Sequence, residues 1–386
     1  MERLEGRIVY WFHGASVGEL DQAKALGREL KNREPNSFLI LSWMSDSVTK
    51  KNLKDSPADF HYPLPLDGPF SYSQFLGIFQ PAKLVLFAWD TWAWLIYSAN
   101  ARHTSIYLAC ATLGEKSARL GIFSKQLTEL CFSWMKGILP AHSIHEPRFL
   151  SLLESVKPKP FLQTAGDSRF DSVIQKMESN SPQESFLHLL KTMGLEDSKK
   201  CHIPVIIFAS TYPICETGIL EFLEKSNDNS IVWIFPHKIE PARIEFLRER
   251  ISNLKISNST SSKYLEGSRV LIFDELGILA FAYRYAKFAY VGGGFHHRIH
   301  NVIEPAYWKL PILTGSRIEN ASEALVLESL GGLKRVSGIS ELSRACLDWD
   351  KPSELENLYR LGEKNKNFVM DNQGASKRIY ETIWKN

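Results

Sequence analysis

Residues 290–321 read Y-V-G-G-G-F-H-H-R-I-H-N-V-I-E-P-A-Y-W-K-L-P-I-L-T-G-S-R-I-E-N-A. The apolar run 288–291 predicts a strand that ends on Gly292, Gly293 and Gly294, followed by a His/Arg-rich loop. A helix is expected next, with Asn301 at its start and Glu304 one turn in. A second strand, 311–313, then leads into a polar loop that includes Asn320. Glycines after a strand let backbone N–H groups approach a phosphate, and a helix N-terminus adds partial positive charge there. A carboxylate one turn into that helix can accept both hydroxyls of a ribose. The stretch reads as a nucleotide-sugar site in an α/β fold; spacing alone leaves an ordinary strand–loop–helix open.

The same alternation runs through all 386 residues. Strands are predicted at 7–12, 37–43, 83–87 and 105–109, then at 203–209, 231–236, 269–273, 288–291 and 311–313. Most are continuous apolar runs, as in parallel sheets covered on both faces. A joint is expected near V-K-P-K-P-F-L-Q (156–163), where prolines interrupt the pattern. No apolar run approaches the ~18 residues of a membrane span. The five cysteines are scattered, and none pair at C-x-x-C spacing, which argues against zinc or a disulfide framework. Net charge is +3; residues 1–165 hold 18 Lys/Arg against 15 Asp/Glu, and the remainder 28 of each. That excess is too small for a nucleic-acid footprint.

The first predicted strand ends in H-G-A-S-V-G-E-L, residues 13–20, before a helix expected to reach about Arg33. Ser16-x-x-Glu19 fits a capping box, in which both side chains satisfy the first free N–H groups of the helix. Glu19 at the carboxyl end of a strand equally suits a general base. Both readings stand on sequence alone.

With these motifs in view, the chain resembles the 3-deoxy-D-manno-octulosonic acid (Kdo) transferases of Gram-negative lipopolysaccharide synthesis. H-G-A-S-V-G-E is similar to the family's H-A-A-S-V-G-E, Y-P-L-P-L-D (62–67) to its P-L-D segment, and L-G-E-K-S-A-R (113–119) to its L-S-E-R-S-x-R. G-D-S-R-F-D (166–171) is similar to its G-N/D-x-K-F-D, and A-S-T-Y-P (209–213) to its G-S-T-H. V-G-G-G-F…H-N-V-I-E-P-A and G-S-R-I-E-N (315–320) match two further motifs in order.

The resemblance implies a GT-B fold: two doubly wound Rossmann-like domains facing an interdomain cleft. Residues 1–165 would bind the acceptor and 166–386 the donor, with the last helix packing back on the first domain. It implies inverting transfer of Kdo, or a close 2-keto sugar acid, from CMP-Kdo to a lipid A-type acceptor. Glu19 would be the base. Ser210, Thr211, His237, Lys238, Gly292, Gly293, Gly294, Asn301, Glu304 and Asn320 would bind the donor. His13, Ser16, Gly18 and Asp90 would lie on the acceptor side. No metal and no other cofactor is implied. The expected location is cytoplasmic, peripheral on the anionic inner face of the inner membrane. With about six residues before the first predicted strand, that contact is expected from the first domain's surface.

Four departures matter. Besides the short lead-in, the family's E-T-E-L-W-P-N becomes A-W-D-T-W-A-W (88–94), so Ala88 replaces one acid and Asp90 stands at the second. Asp90 reads as an acceptor-side carboxylate or as a helix N-cap, and the tryptophans there as core or as surface. Thr112 replaces an Arg able to bind a phosphate or carboxylate bidentately. P-R-H-P-E-R becomes P-H-K-I-E-P-A-R, keeping cations at His237, Lys238 and Arg243, and Ile278 stands at a Glu position. A GT-B enzyme with another donor, a sugar-nucleotide epimerase, and a degenerate non-catalytic paralogue remain the alternatives.

Overall fold

Side chains that alternate across each apolar run build a core on both faces of a sheet. Val9 and Trp11 enter one buried cluster; Tyr10 and Phe12 enter another on the opposite face. The computed structural model describes residues 4, 6–115, 117–179, 181–195, 205–226, 230–296, 298–319 and 321–385. It divides into two units, Met1–Ser172 with Asn372–Asn386, and Val173–Asp371.

The first unit contains β1 (Val9–His13), β2 (Phe38–Trp43), β3 (Phe60–Pro63), β4 (Lys83–Phe87), β5 (Ser105–Ala111), β6 (Gly137–Pro140) and β7 (Phe161–Leu162). Their order is β3-β2-β1-β4-β5-β6-β7, and every pair is parallel. The second unit contains β8 (Val205–Thr211), β9 (Ile231–Pro236), β10 (Asn258–Thr260), β11 (Val270–Ile272), β12 (Ala286–Val291), β13 (Ile312–Gly315) and β14 (Leu333–Val336). Their order is β10-β11-β9-β8-β12-β13-β14, again all parallel. Chain order reverses between β1 and β4 in one sheet and between β8 and β12 in the other. Open α/β sheets bind ligands at the carboxyl ends of strands at such reversals.

The C-terminal helix, Ala375–Trp384, completes the first unit. Ile379, Tyr380 and Ile383 pack with Leu20, Ala23, Leu26 and Leu30 of the helix Val17–Arg33. The Asp171 carboxylate accepts the N–H groups of Gly374 and Ser376, each at 2.6 Å. Arg378 Nε donates to the Ala165 carbonyl at 3.0 Å. Gln22 Nε2 donates to Asp167 Oδ1, and Ser168 Oγ to the Gln22 carbonyl, both at 2.9 Å. These bonds tie 166–171 to the first unit and move the division from the expected 165/166 to 172/173.

The sequence reading missed β3, β6, β7, β10 and β14. All have four residues or fewer, and β14 carries Lys334 and Arg335. Such strands are too short or too polar to show a period. Among the described residues, no helix is long and apolar enough to cross a membrane.

The helix Leu355–Asp371 lies hard against the chain before β13. A Cβ on Gly362 would stand 1.9 Å from the Lys309 carbonyl oxygen. Three residues on, Asn365 Nδ2 donates to the carbonyls of Leu310 at 2.7 Å and Gly332 at 2.9 Å. In an open helix Gly→Ala stabilises by ~1 kcal/mol. Here Gly362→Ala should destabilise the second unit by ~1–3 kcal/mol through overpacking. The test is urea unfolding; a midpoint that stays or rises would show that this contact is not close.

Candidate functional site

At the first reversal, β1 ends at His13 and turns at once into the helix Val17–Arg33. Gly14 allows that turn, because a Cβ there would lie 2.6 Å from the Glu19 carbonyl carbon. The turn brings the Glu19 carboxylate back over Ser16. Oε2 accepts the Ser16 N–H at 2.9 Å and is also bonded by the Ser16 hydroxyl, completing the capping box. Oε1 accepts the Trp89 indole N–H at 3.0 Å. Gly18 is exposed in the first turn of the helix.

Asp90 lies just beyond β4 and is buried. Its Oδ2 accepts the Ala15 N–H at 3.0 Å. The N-cap reading fails for Asp90. The first N–H groups of the helix Ala93–Asn100, those of Trp94 and Leu95, go to Asp67, each at 3.0 Å. Asp90 therefore faces the β1 turn. Burial, then the Glu19 charge, raise its pKa to about 8; the Ala15 N–H and the Arg119 charge act the other way. His13 is fully buried, with Nδ1 3.0 Å from Ser42 Oγ and Nε2 4.0 Å from Asp90 Oδ2. Burial pushes its pKa down to about 3. A neutral imidazole thus lies beside an acid that resists ionisation, and that acid feels the Glu19 charge.

Of the departures, Ala88 takes a left-handed backbone with φ +58°, and Ile278 is a buried core residue. Thr112 donates its N–H to the Ala88 carbonyl at 2.9 Å. Arg119 stacks over Trp89 at 5.3 Å and donates to Thr91 Oγ1 at 3.0 Å. The aromatic run divides: Phe87 is core and Trp92 is partly buried against the core, while Trp94 and Tyr97 are 41% and 48% exposed.

At the second reversal, Ser210 lies near the end of β8 with φ +50°, and the Thr211 hydroxyl donates to Glu216 at 3.1 Å. Gly292 passes so close that a Cβ would meet the Ser210 carbonyl oxygen at 2.1 Å. Its own N–H goes to the Ala209 carbonyl at 2.9 Å, so it is not available to a ligand. Gly293 has φ +96° and leaves 2.0 Å between a Cβ position and the Arg298 carbonyl oxygen. Gly294 faces Gly315, with 2.8 Å from its Cβ position to that carbonyl oxygen. Only glycine fits this crossing.

The following helix is Ile303–Tyr307, so Asn301 precedes it instead of beginning it. The Asn301 side chain accepts the Ile303 N–H at 2.8 Å, a cap the spacing did not reveal. Glu304 sits in the first turn, with Oε1 2.8 Å from Lys176 Nζ. Asn320 lies outside the described residues. Lys238 is exposed, 3.9 Å from Glu240. His237 stacks on Tyr212 at 4.7 Å. Tyr212, Trp89, Lys176 and Arg119 were not assigned as site residues; Tyr212 and Arg119 lie inside the motifs 209–213 and 113–119, whereas Trp89 and Lys176 reach Glu19 and Glu304 across 70 and 128 residues. Among the described residues, no group of three or more His, Cys, Asp or Glu is placed to hold a metal ion.

A family model described as 3-deoxy-D-manno-octulosonic-acid transferase (kdotransferase) matches residues 2–172. The 3-deoxy-D-manno-octulosonic acid transferase of Haemophilus influenzae is 27% identical over 97% of this chain and 86% of its own length. That of Rickettsia felis is 24% identical over 100% of this chain and 81% of its own. Among solved structures, UDP-GlcNAc 2-epimerase from Neisseria meningitidis, bound to UDP-GlcNAc, superposes with a TM-score of 0.70 at 15% identity, covering 98% of this chain and 100% of its own. That likeness is one of fold alone, the two-domain α/β architecture of the GT-B type.

Asp90 and His13 make stability depend on pH in opposite directions. From the ordinary carboxylate value of ~4 up to about 8, the unfolded chain ionises Asp90 and the folded chain does not. Asp90 therefore withdraws stability as pH rises through that window. His13 withdraws it as pH falls from ~6.5 toward about 3. Asp90→Asn keeps an acceptor for Ala15 and removes only the first effect. Its melting temperature should gain on wild type as pH rises from ~4 to ~8, by roughly 2–4 °C for each pH step of one, since a tenfold change in proton binding is worth ~1.4 kcal/mol. A difference that is constant across that range would place the titration elsewhere.

Proposed function

With residues 2–172 matching the Kdo transferase family, this chain is a glycosyltransferase, and we propose that it moves Kdo from CMP-Kdo to a lipid A-type acceptor. The observation that carries the reading is the Glu19 carboxylate, fixed by Ser16 and Trp89 at a sheet reversal and flanked by Asp90. Glu19 takes the proton from an acceptor hydroxyl. The acceptor oxygen bonds to the anomeric carbon of Kdo as that carbon's bond to the CMP phosphate breaks. The electron pair stays on the phosphate oxygen, CMP departs, and configuration inverts.

In this reading the second unit holds the donor through Ser210, Thr211, Gly293 and Gly294, and Glu304 takes the ribose hydroxyls. Lys176 orients Glu304 without neutralising its role, since a carboxylate has lone pairs for about four donors. The acceptor is amphiphilic, and the exposed Trp94 and Tyr97 suit it or the anionic inner face of the inner membrane. The enzyme would then work in the cytoplasm, peripherally on that surface.

Glu19→Gln tests the base directly. Gln keeps an acceptor for the Ser16 N–H, so melting should hardly change. Turnover with CMP-Kdo and a lipid A precursor should fall by ~10²–10⁴-fold, the usual loss for a general base. CMP affinity by calorimetry should hold. Near wild-type turnover would remove Glu19 from the chemistry.

A further inference from the structure

Three imidazoles gather on one tyrosine ring at the carboxyl end of β8. His237 stacks on Tyr212 at 4.7 Å, with 24° between planes. His296 meets the ring edge-on at 4.4 Å. His300 lies nearly parallel to it at 5.8 Å, and its Nε2 is 3.1 Å from the Tyr212 hydroxyl. His237 and His300 are themselves 4.7 Å apart. Three separate connections supply these rings: the turn after β8, the turn after β9, and the loop after β12. Phosphate-binding turns need no such aromatic stack. Tyr212 is half-buried against the second unit's core, and His237 is exposed.

The charges around the cluster are mostly positive. Lys238 follows His237 in the chain, and Arg298 stands in the same loop as His296 and His300. Arg317 reaches in from the turn after β13, with Nη1 2.9 Å from the His296 carbonyl. Arg243 comes from the helix Pro241–Asn253. Of the acids, Glu216 on the helix after Tyr212 is engaged by Arg243 at 2.5 Å and by the Thr211 hydroxyl. Cys215 on that helix is bonded by the Tyr290 hydroxyl. The charges that act on His237 and His300 are those of Lys238, Arg243 and the neighbouring imidazoles.

We propose that Tyr212, His237, His296 and His300 form a proton-taking seat for the phosphate of the donor, so that binding a nucleoside monophosphate dianion draws protons onto the imidazoles. The proposal rests on the CMP-dependent reading above and adds to it the residues and the proton linkage. In the free protein the imidazoles oppose one another's protonation. Burial, then the charges of His237 and His296, lower the His300 pKa to about 4. Burial, Lys238, Arg243 and His296 lower that of His237. An anion placed among them reverses that balance. His237, the most exposed ring, takes a proton first, and the charge stands ready where the departing phosphate gains its own.

Calorimetry of CMP binding to the full chain at pH 7.5, in two buffers of different ionisation enthalpy with chelator present, counts the protons. The wild type should take up a measurable fraction of a proton with CMP and none with cytidine, which lacks the phosphate. Its CMP affinity should tighten severalfold from pH 8 to pH 6.5. His237→Asn with His300→Asn should still melt cooperatively, bind CMP more weakly, and lose both the uptake and the pH dependence. Wild-type binding of CMP without proton uptake would overturn the proposal while leaving the CMP reading intact. So would uptake that persists in the double variant, since it would belong to the phosphate itself. Absence of CMP binding at any pH would overturn both.

Discussion

One hydrogen bond organises the first unit's site: the Ala15 N–H to Asp90 Oδ2 at 3.0 Å. It joins the end of β1 to the end of β4, the two strands between which the sheet reverses. Three features depend on the turn it holds. Gly14 must lack a Cβ so that the helix Val17–Arg33 can begin at once. That early start puts Glu19 in the third helical position, where it closes the capping box. Ala88 must adopt φ +58° so that β4 delivers Trp89 to Glu19 and Asp90 to Ala15. Its N–H and carbonyl remain tied to Ala109 and Thr112, so the unusual backbone is fixed from the β5 side.

The two reversals carry opposite electrical problems. At the first, burial and then the nearby Glu19 charge make Asp90 hold its proton to about pH 8. At the second, burial and then the charges of His237 and His296 keep His300 neutral down to about pH 4. Each place holds back the charge that a ligand of the right kind would bring out. Perturbed groups of this kind gather where chemistry occurs more often than elsewhere.

Long buried strands were legible in the sequence because an apolar run needs only its neighbours to be recognised. β4 and β9 begin and end where the pattern places them, and the helix from Val17 ends at Arg33 as expected. Edge strands were not legible, since Phe161–Leu162 gains its strand character only from pairing with β6. Short motifs singled out Glu19, Gly293 and Glu304 as candidates, because the other residues of each motif lie within a few positions. Long-range partners were invisible: Trp89 is 70 residues from Glu19, and Lys176 is 128 from Glu304. Asp90 was ambiguous for the same reason. Its cap-like spacing is local, but Asp67 had already taken the helix start from 27 and 28 residues away.

The capping box at Glu19 and its proposed role as base are compatible in the donor geometry. An ionised carboxylate has about four acceptor sites. Ser16 fills two through its N–H and hydroxyl, and Trp89 fills one on the other oxygen. About one site is left, on Oε1 beside the indole. Glu19 is 9% exposed, which leaves a narrow approach for a hydroxyl and little room for bulk water. The capping bonds do more than stabilise the helix, because they hold Oε2 still and thereby aim Oε1. For the proposed base, this orientation means no change of rotamer when a hydroxyl arrives, so the ordering it would otherwise cost is met when the helix forms.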